Sequence, residues 1–232
     1  KAHSGRHRLV SGKDLPEDML QENIDDVRDG AANLLKHLQI VRGFGITPVV
    51  AVNVFPTDHD AEIEEVRRIA GDAGARVAVC HPVTRGGEGC LDLVGAVVEA
   101  CHEAGEPACS RPAYEPQDDL RTKISKLADL YGADGVDYTP AASRLLEAYE
   151  QAGFSHLPVI VAKTPLSLSA EPGRKGVPTG WRLPVREVRL AAGAGYVYAI
   201  CGSLSTMPGL SSHPAAERID VDLDTGQIMG LR

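Results

Sequence analysis

Aromatic side chains are what this sequence has least of. They make up 4% of its 232 residues, as one Trp, three Phe and six Tyr, so any that sits outside an apolar run carries information. Long apolar runs are also missing: none approaches the roughly 20 residues that a membrane-spanning helix requires. Positive charge is not in excess either. The formal charge is -8 and no dense Lys/Arg stripe occurs, which argues against a nucleic-acid groove and against an anchor on an anionic membrane. Neither a G-x-x-x-x-G-K-S/T loop nor a G-x-G-x-x-G turn is present, so no nucleotide fingerprint can be read. The segment KAHSGRHRLV lacks the apolar core of a secretion signal. The cysteines, at 80, 90, 101, 109 and 201, have no paired C-x-x-C spacing. That excludes a disulfide framework or zinc ribbon and points to a reducing cytoplasm. Cys80-His81 and Cys101-His102 are adjacent pairs whose side chains diverge, so they read as packing residues rather than metal ligands.

What remains is an ordinary globular composition, 43% hydrophobic and 24% charged, with length enough for one large domain or two modest ones. Leu20, Ile24, Val27, Ala31, Leu34, Leu35, Leu38 and Val41 recur at the three-four spacing of a helix face, with Gly43 and Gly45 as a stop. An apolar strand follows at 47–53. Asp58 is the expected cap of a helix carrying Ile63, Val66 and Ile69. A second strand, RVAVC at 76–80, leads through HPVTRGGEG to a helix from about 88 to 104. This strand–helix–strand–helix order predicts an α/β fold with a parallel or mixed sheet and flanking helices.

Residues 105–116 are a proline-rich connection. DDLRTKISKLADLYG and TPAASRLLEAYEQAG predict two more helices, the second capped by Thr139, with Pro140 in its first turn and Gly153 at its end. After Phe154 the texture turns to short β-like runs, and Asp224 to Gly226 reads as a hairpin turn. AGAGY at 192–196 predicts a bulge or tight backbone approach. The expected organisation is a helical tail end at 1–42, an α/β domain at 43–155 and a small, mostly β half-barrel module at 156–232.

One stretch is chemically suggestive. In PVVAVNVFPTD, residues 48–58, a buried strand stops at Asn53-Val54-Phe55-Pro56. Ligands of parallel sheets bind beyond the carboxyl ends of strands, and Arg85-Gly86-Gly87-Glu88-Gly89 leaves the next strand at the same end. Phe55 either offers a ring face to a shared pocket, held by Pro56, or packs beneath the following helix. GRKGVPTG at 173–180, with two cations, reads as a mobile loop. Lys163, closing the run VIVAK, meets an anionic ligand or snorkels at a sheet rim. Ser203, Ser205 and Thr206 lack His/Asp partners for a serine hydrolase. A guanine-reading Asn-Lys-x-Asp box would need Lys where Val54 stands.

PVVAVNVFPTD, RGGEG, YGADGVDYTP, LPVIVAKTPLSLS, VREVRLAAGAGYVYAICG and TMPGLSSHPAAERIDVD together resemble, in order and spacing, the formate–tetrahydrofolate ligases. KAHSG is similar to the tail of a family signature, with Ser4 at the first glycine of a Gly pair. The resemblance implies an ATP-dependent carbon–nitrogen ligase. Formate is phosphorylated by Mg-ATP, and N10 of tetrahydrofolate attacks the formyl phosphate. It also implies a tetrameric homo-oligomer, a response to a monovalent cation, and a large N-terminal P-loop domain outside this stretch. With that domain absent, the chain alone is expected to be inactive and to hold no catalytic residue, its docking surfaces showing as exposed apolar patches. An alternative is a non-catalytic folate- or partner-binding module derived from the ligase.

By the same resemblance the pterin is sandwiched between Phe55 and an aromatic three residues before the Gly-Gly-Glu-Gly run, where this chain has Val83. The implied folate set is Asn53, Phe55, Pro56, Val83, Arg85 and Glu88. Lys175, Thr179 and Gly180 of the 173–180 loop would edge toward the adenine.

Overall fold

Two parallel strands carry the first half of the chain: β1 (Val49–Asn53) and β2 (Arg76–Cys80), with Val49 opposite Arg76 and Asn53 opposite Cys80. The structure, a computed structural model, describes residues 1–7, 14–104, 110–204 and 213–230. Helix α1 (Glu17–Leu20) is a single turn that takes Leu20 out of the long periodic helix; α2 (Ile24–Gly43) holds the rest of that face. Asn23 caps α2, its side chain accepting from the Asp26 amide at 3.0 Å. Leu38 of α2 buries against Ala70 and Ala75, with Val50 and Val77 from the strands packed alongside.

Helix α3 (Asp60–Asp72) returns the chain from β1 to β2. Its cap position is His59, without a side-chain cap bond. The expected cap, Asp58, is used one turn earlier, where its carboxylate accepts from the Phe55 amide at 2.8 Å. After β2 the chain winds into α4 (Pro82–Arg85), a 3-10 turn at Gly86–Cys90 and α5 (Leu91–Ala104). The expected RGGEG loop is therefore largely helical. Helix α5 packs on β2 and β1 but leaves Leu91, Val94, Val97 and Val98 exposed.

The second half is built on a four-stranded mixed sheet in the order β3-β5-β6-β4. Its strands are β3 (Val136–Tyr138), β4 (Val159–Ala162), β5 (Leu183–Ala191) and β6 (Tyr196–Cys201). β3 runs parallel to β5, β4 parallel to β6, and β5 antiparallel to β6. Helices α6 (Leu120–Leu130) and α7 (Pro140–Gln151) cover it, and Leu120, Ile124, Leu146, Val185, Val188 and Val197 are buried in one core. That core and the β3–β5 pairing run across residue 155, joining the helices before it to the strands after it. Burial of each such Leu, Ile or Val side chain is worth about 1.5–3 kcal/mol.

Thr139 caps α7 as expected, accepting from the Ala142 amide at 3.2 Å, and Gly153 ends the helix region at φ 86°. AGAGY does not form a bulge. It turns the β5–β6 hairpin, with Gly195 donating to Ala191 at 2.8 Å from φ 74°. The register shift sits instead at Val185/Glu187. The last hairpin pairs β7 (Asp220–Val221) with β8 (Ile228–Met229), and the Asp222 carboxylate accepts from the Asp224 and Thr225 amides at 2.9 and 3.0 Å. Ser205 and Thr206, with most of TMPGLSSH, lie outside the described residues.

Candidate functional site

Adjacent parallel strands in register end at the same level, and here Asn53 lies opposite Cys80. One further ladder bond, from the Val54 amide to the Cys80 carbonyl at 2.8 Å, holds the two exits together. Beyond it the first exit closes on itself. The Phe55 amide donates to the Asp58 carboxylate, and the Asp58 amide donates back to the Phe55 carbonyl at 3.0 Å. Pro56 sits inside that turn and fixes one of its backbone torsions. Phe55 is 47% exposed. It does not pack beneath α3; its ring stands at the strand end, the costly arrangement for an apolar group unless something covers it.

The second exit is a knot tied by glycine. The His81 amide donates to the Gly89 carbonyl at 2.9 Å, and the Arg85 amide donates to the His81 carbonyl at 2.9 Å. A Cβ on Gly89 would lie 2.6 Å from the His81 oxygen, so the backbones can approach only because that atom is missing. Gly86 turns the chain at φ 55°, ψ -142°, a region essentially closed to other residues. The knot presents Val83, 58% exposed, with Arg85 and Glu88 also exposed. The structure thus gathers Asn53, Phe55, Pro56, Val83, Arg85 and Glu88 around two neighbouring strand exits, all accessible to solvent. They form an open rim rather than an enclosed slot.

The 173–180 loop is joined to its surroundings by several hydrogen bonds. The Lys175 ammonium donates to the Leu166 carbonyl at 2.9 Å, and Arg174 donates to the Thr179 carbonyl at 2.7 Å. Gly180 turns at φ 66°. Two long-range bonds reach Gly176: Asn33 of α2 donates to its carbonyl at 3.0 Å, and its amide donates to His3 Nδ1 at 3.2 Å. Burial, with Lys175 nearby, pushes the His3 imidazole below its ordinary pKa, in keeping with a neutral ring that accepts at Nδ1.

Sequence reasoning missed the role of the KAHSG segment as a bridge. Lys1 donates to Glu62, in the first turn of α3, at 2.8 Å, while His3 holds Gly176. Gly30 of α2 makes room, since a Cβ there would lie 3.2 Å from the Ser4 nitrogen. This short strap therefore connects the helix that follows Phe55 with the 173–180 loop. No periodicity signals such a contact; only the family-like pattern of the segment singled it out. Nearby, the buried Asp26 carboxylate pairs with His7 at 2.7 Å and Arg6 at 2.8 Å. Burial favours its neutral acid, yet these bonds hold its pKa below the ordinary value.

Cys80 and Cys201 are buried and Cys101 is exposed. Burial pushes the Cys201 thiol up to about 12 and also raises Cys80, so neither serves as a thiolate at neutral pH. Among the described residues, no three His, Cys, Asp or Glu side chains cluster to hold a metal ion, and no helix is long and apolar enough to cross a membrane.

The fold is of the α/β class, in which ligands take their place beyond the carboxyl ends of parallel strands. The formate–tetrahydrofolate ligase family model matches residues 1–232, and the chain belongs to that family. It is 55% identical over 232 residues to the formate–tetrahydrofolate ligase of Cutibacterium acnes, covering 100% of this chain and 40% of that protein. The corresponding protein of Saccharopolyspora erythraea is 57% identical with the same coverage. Formate–tetrahydrofolate ligase 3 of Rubrobacter xylanophilus is 48% identical over 238 residues, 41% of its length. The chain thus spans about two fifths of the length of these curated relatives.

Proposed function

We propose that this chain supplies the folate-facing part of an ATP-dependent formate–tetrahydrofolate ligase. The observation that carries the reading is the pair of strand exits: an exposed Phe55 and an exposed Val83 rise from neighbouring parallel strands in a chain matched throughout by the family model. Phe55 forms one wall against the pterin, and Pro56 and the Asp58 carboxylate hold the turn that carries it. Asn53, Arg85 and Glu88 offer polar contacts at the rim. Val83 occupies the opposite wall without a ring, so the pterin is stacked on one side only. The strap through Lys1 and His3 ties this rim to Lys175, Thr179 and Gly180, which border the nucleotide.

Phosphoryl transfer depends on positioning and on charges that neutralise the transferred group. No phosphate-binding loop is present in this sequence, so the chain alone carries no ligase activity. Mg-ATP and formate bind chiefly to the P-loop domain that the longer relatives supply, with a monovalent cation supporting the whole enzyme. That domain docks on the apolar side chains of α5 left exposed at Leu91, Val94, Val97 and Val98. The assembled enzyme is a cytoplasmic homo-oligomer.

Calorimetric titration of this chain with tetrahydrofolate tests the reading. One stacked ring contributes about 1–3 kcal/mol, so Phe55→Ala weakens binding by roughly 5- to 150-fold. Val83→Trp, which supplies the second wall, strengthens it by a factor within that same range. Equal affinity in the parent and in both variants sinks the folate assignment.

A further inference from the structure

Away from the strand-end rim, a cavity of about 420 Å³ opens between the end of α2 and the second sheet. Its walls include Phe44, Leu127, Tyr131, Lys163 and Trp181. In a chain with one Trp, three Phe and six Tyr, three aromatics converge on this one space. Its volume is in the usual range for small-molecule sites, about 300–1,000 Å³. No carboxylate lines it.

Two donors there are left incomplete. Trp181 is 3% exposed, and its indole N–H has no hydrogen-bond acceptor among the described residues. A buried donor without an acceptor is costly, and Trp N–H groups normally find one when buried. The Lys163 ammonium sits 5.0 Å from the centre of the Tyr131 ring and donates to the carbonyls of Ser167 at 2.6 Å and Thr164 at 3.3 Å. Lys163 is half-buried and has no carboxylate partner among the described residues. The nearest titratable neighbours add no negative charge at neutral pH: His37 is a second potential cation, and the Cys201 thiol is held protonated by burial. The cavity thus combines aromatic walls with an ammonium that has carbonyl acceptors and no carboxylate partner among the described residues.

We propose that this cavity binds a small aromatic carboxylate, its ring lying among Phe44, Tyr131 and Trp181 and its carboxylate pairing with the Lys163 ammonium. Such a ligand covers the aromatic walls and brings the ammonium the counter-charge it lacks. A neutral aromatic would fill the space but leave the charge unbalanced, and an inorganic anion would leave the aromatic walls empty. The site is separate from the folate rim: none of Asn53, Phe55, Pro56, Val83, Arg85 or Glu88 lines it.

The test uses 2-naphthoate and its uncharged counterpart 2-naphthamide, and neither folate nor ATP, so it succeeds or fails independently of the ligase reading. Trp181 is the single tryptophan, so its emission reports occupancy of this cavity alone. Naphthoate is expected to bind saturably by calorimetry and to quench Trp181. Naphthamide is expected to bind about tenfold more weakly or worse, because a charge-assisted hydrogen bond is lost. Lys163→Met keeps the stem, removes the charge and lowers naphthoate affinity by a similar factor. Lys163→Arg keeps the charge and retains binding, which separates loss of the ligand contact from loss of fold. Phe55→Ala leaves naphthoate affinity unchanged. The proposal is overturned if naphthoate does not bind, if naphthamide or Lys163→Met matches the parent pair, or if Phe55→Ala abolishes binding, which would assign the probe to the strand-end rim.

Discussion

Replacing Gly86, Gly87 and Gly89 one at a time by alanine separates two kinds of glycine requirement within five residues. Gly89 is needed for space. Its added Cβ would meet the His81 oxygen at 2.6 Å, the His81 carbonyl carbon at 2.9 Å and the Arg85 Cβ at 3.0 Å. Two of these are backbone atoms of the same knot, so relief requires moving the end of β2 itself. Overpacking of this kind costs about 1–3 kcal/mol, and loss of the His81–Gly89 bond adds about 1 kcal/mol. Gly86 is needed for its torsions, and alanine at φ 55°, ψ -142° costs about 1–3 kcal/mol. Gly87 has open space within 4 Å of its Cβ position and an unremarkable φ. Alanine there is neutral or gains up to about 1 kcal/mol by restricting the unfolded chain. For a chain of this size, 1 kcal/mol moves Tm by about 2–4 °C. Thermal melts followed by far-ultraviolet circular dichroism should therefore show Gly89→Ala melting about 4–16 °C and Gly86→Ala about 2–12 °C below the parent, with Gly87→Ala at or slightly above it. Equal melting of Gly89→Ala and Gly87→Ala would refute the close-approach reasoning, whatever binds at the rim.

The Glu65 carboxylate is held down to about 2 from an ordinary 4.5 by hydrogen bonds from Arg68 and then Arg28. Because its folded pKa is depressed, the stability it contributes is complete above about 4.5 and lost as pH falls toward about 2. Across that window the parent Tm should drop more steeply than that of Glu65→Gln; parallel curves would show that Glu65 is not the group responsible. Thiol labelling mapped by mass spectrometry should modify exposed Cys101 before Cys80 and Cys201, which react at a useful rate only in denaturant, since both are buried and their thiols are raised. Labelling of Cys201 as fast as Cys101 in the native chain would contradict that burial.

How much of this was legible in the sequence depended on how local the deciding interactions are. RVAVC was a strand from end to end, and Thr139-Pro140 opened its helix as read, because caps, first-turn prolines and apolar periodicity act within a few residues. Asp58 shows where local reading fails. A helix cap and the turn at Phe55 compete for one carboxylate, and the turn wins. That the two strand exits adjoin follows from α/β order, because parallel strands in register end at the same level. Whether Phe55 faces solvent or the helix could not be read, since that choice depends on where α3 packs.

By itself, then, the sequence determined the element order, the strand exits, the family membership and the absence of a phosphate-binding loop. Only the tertiary structure decided that the core crosses residue 155, that Lys1 and His3 strap α3 to the 173–180 loop, and that Trp181 and Lys163 meet at one cavity. The physical reason is common to all three. Each depends on contacts between residues far apart in the chain, set by how sheets and helices pack against one another, and no local propensity or spacing encodes them.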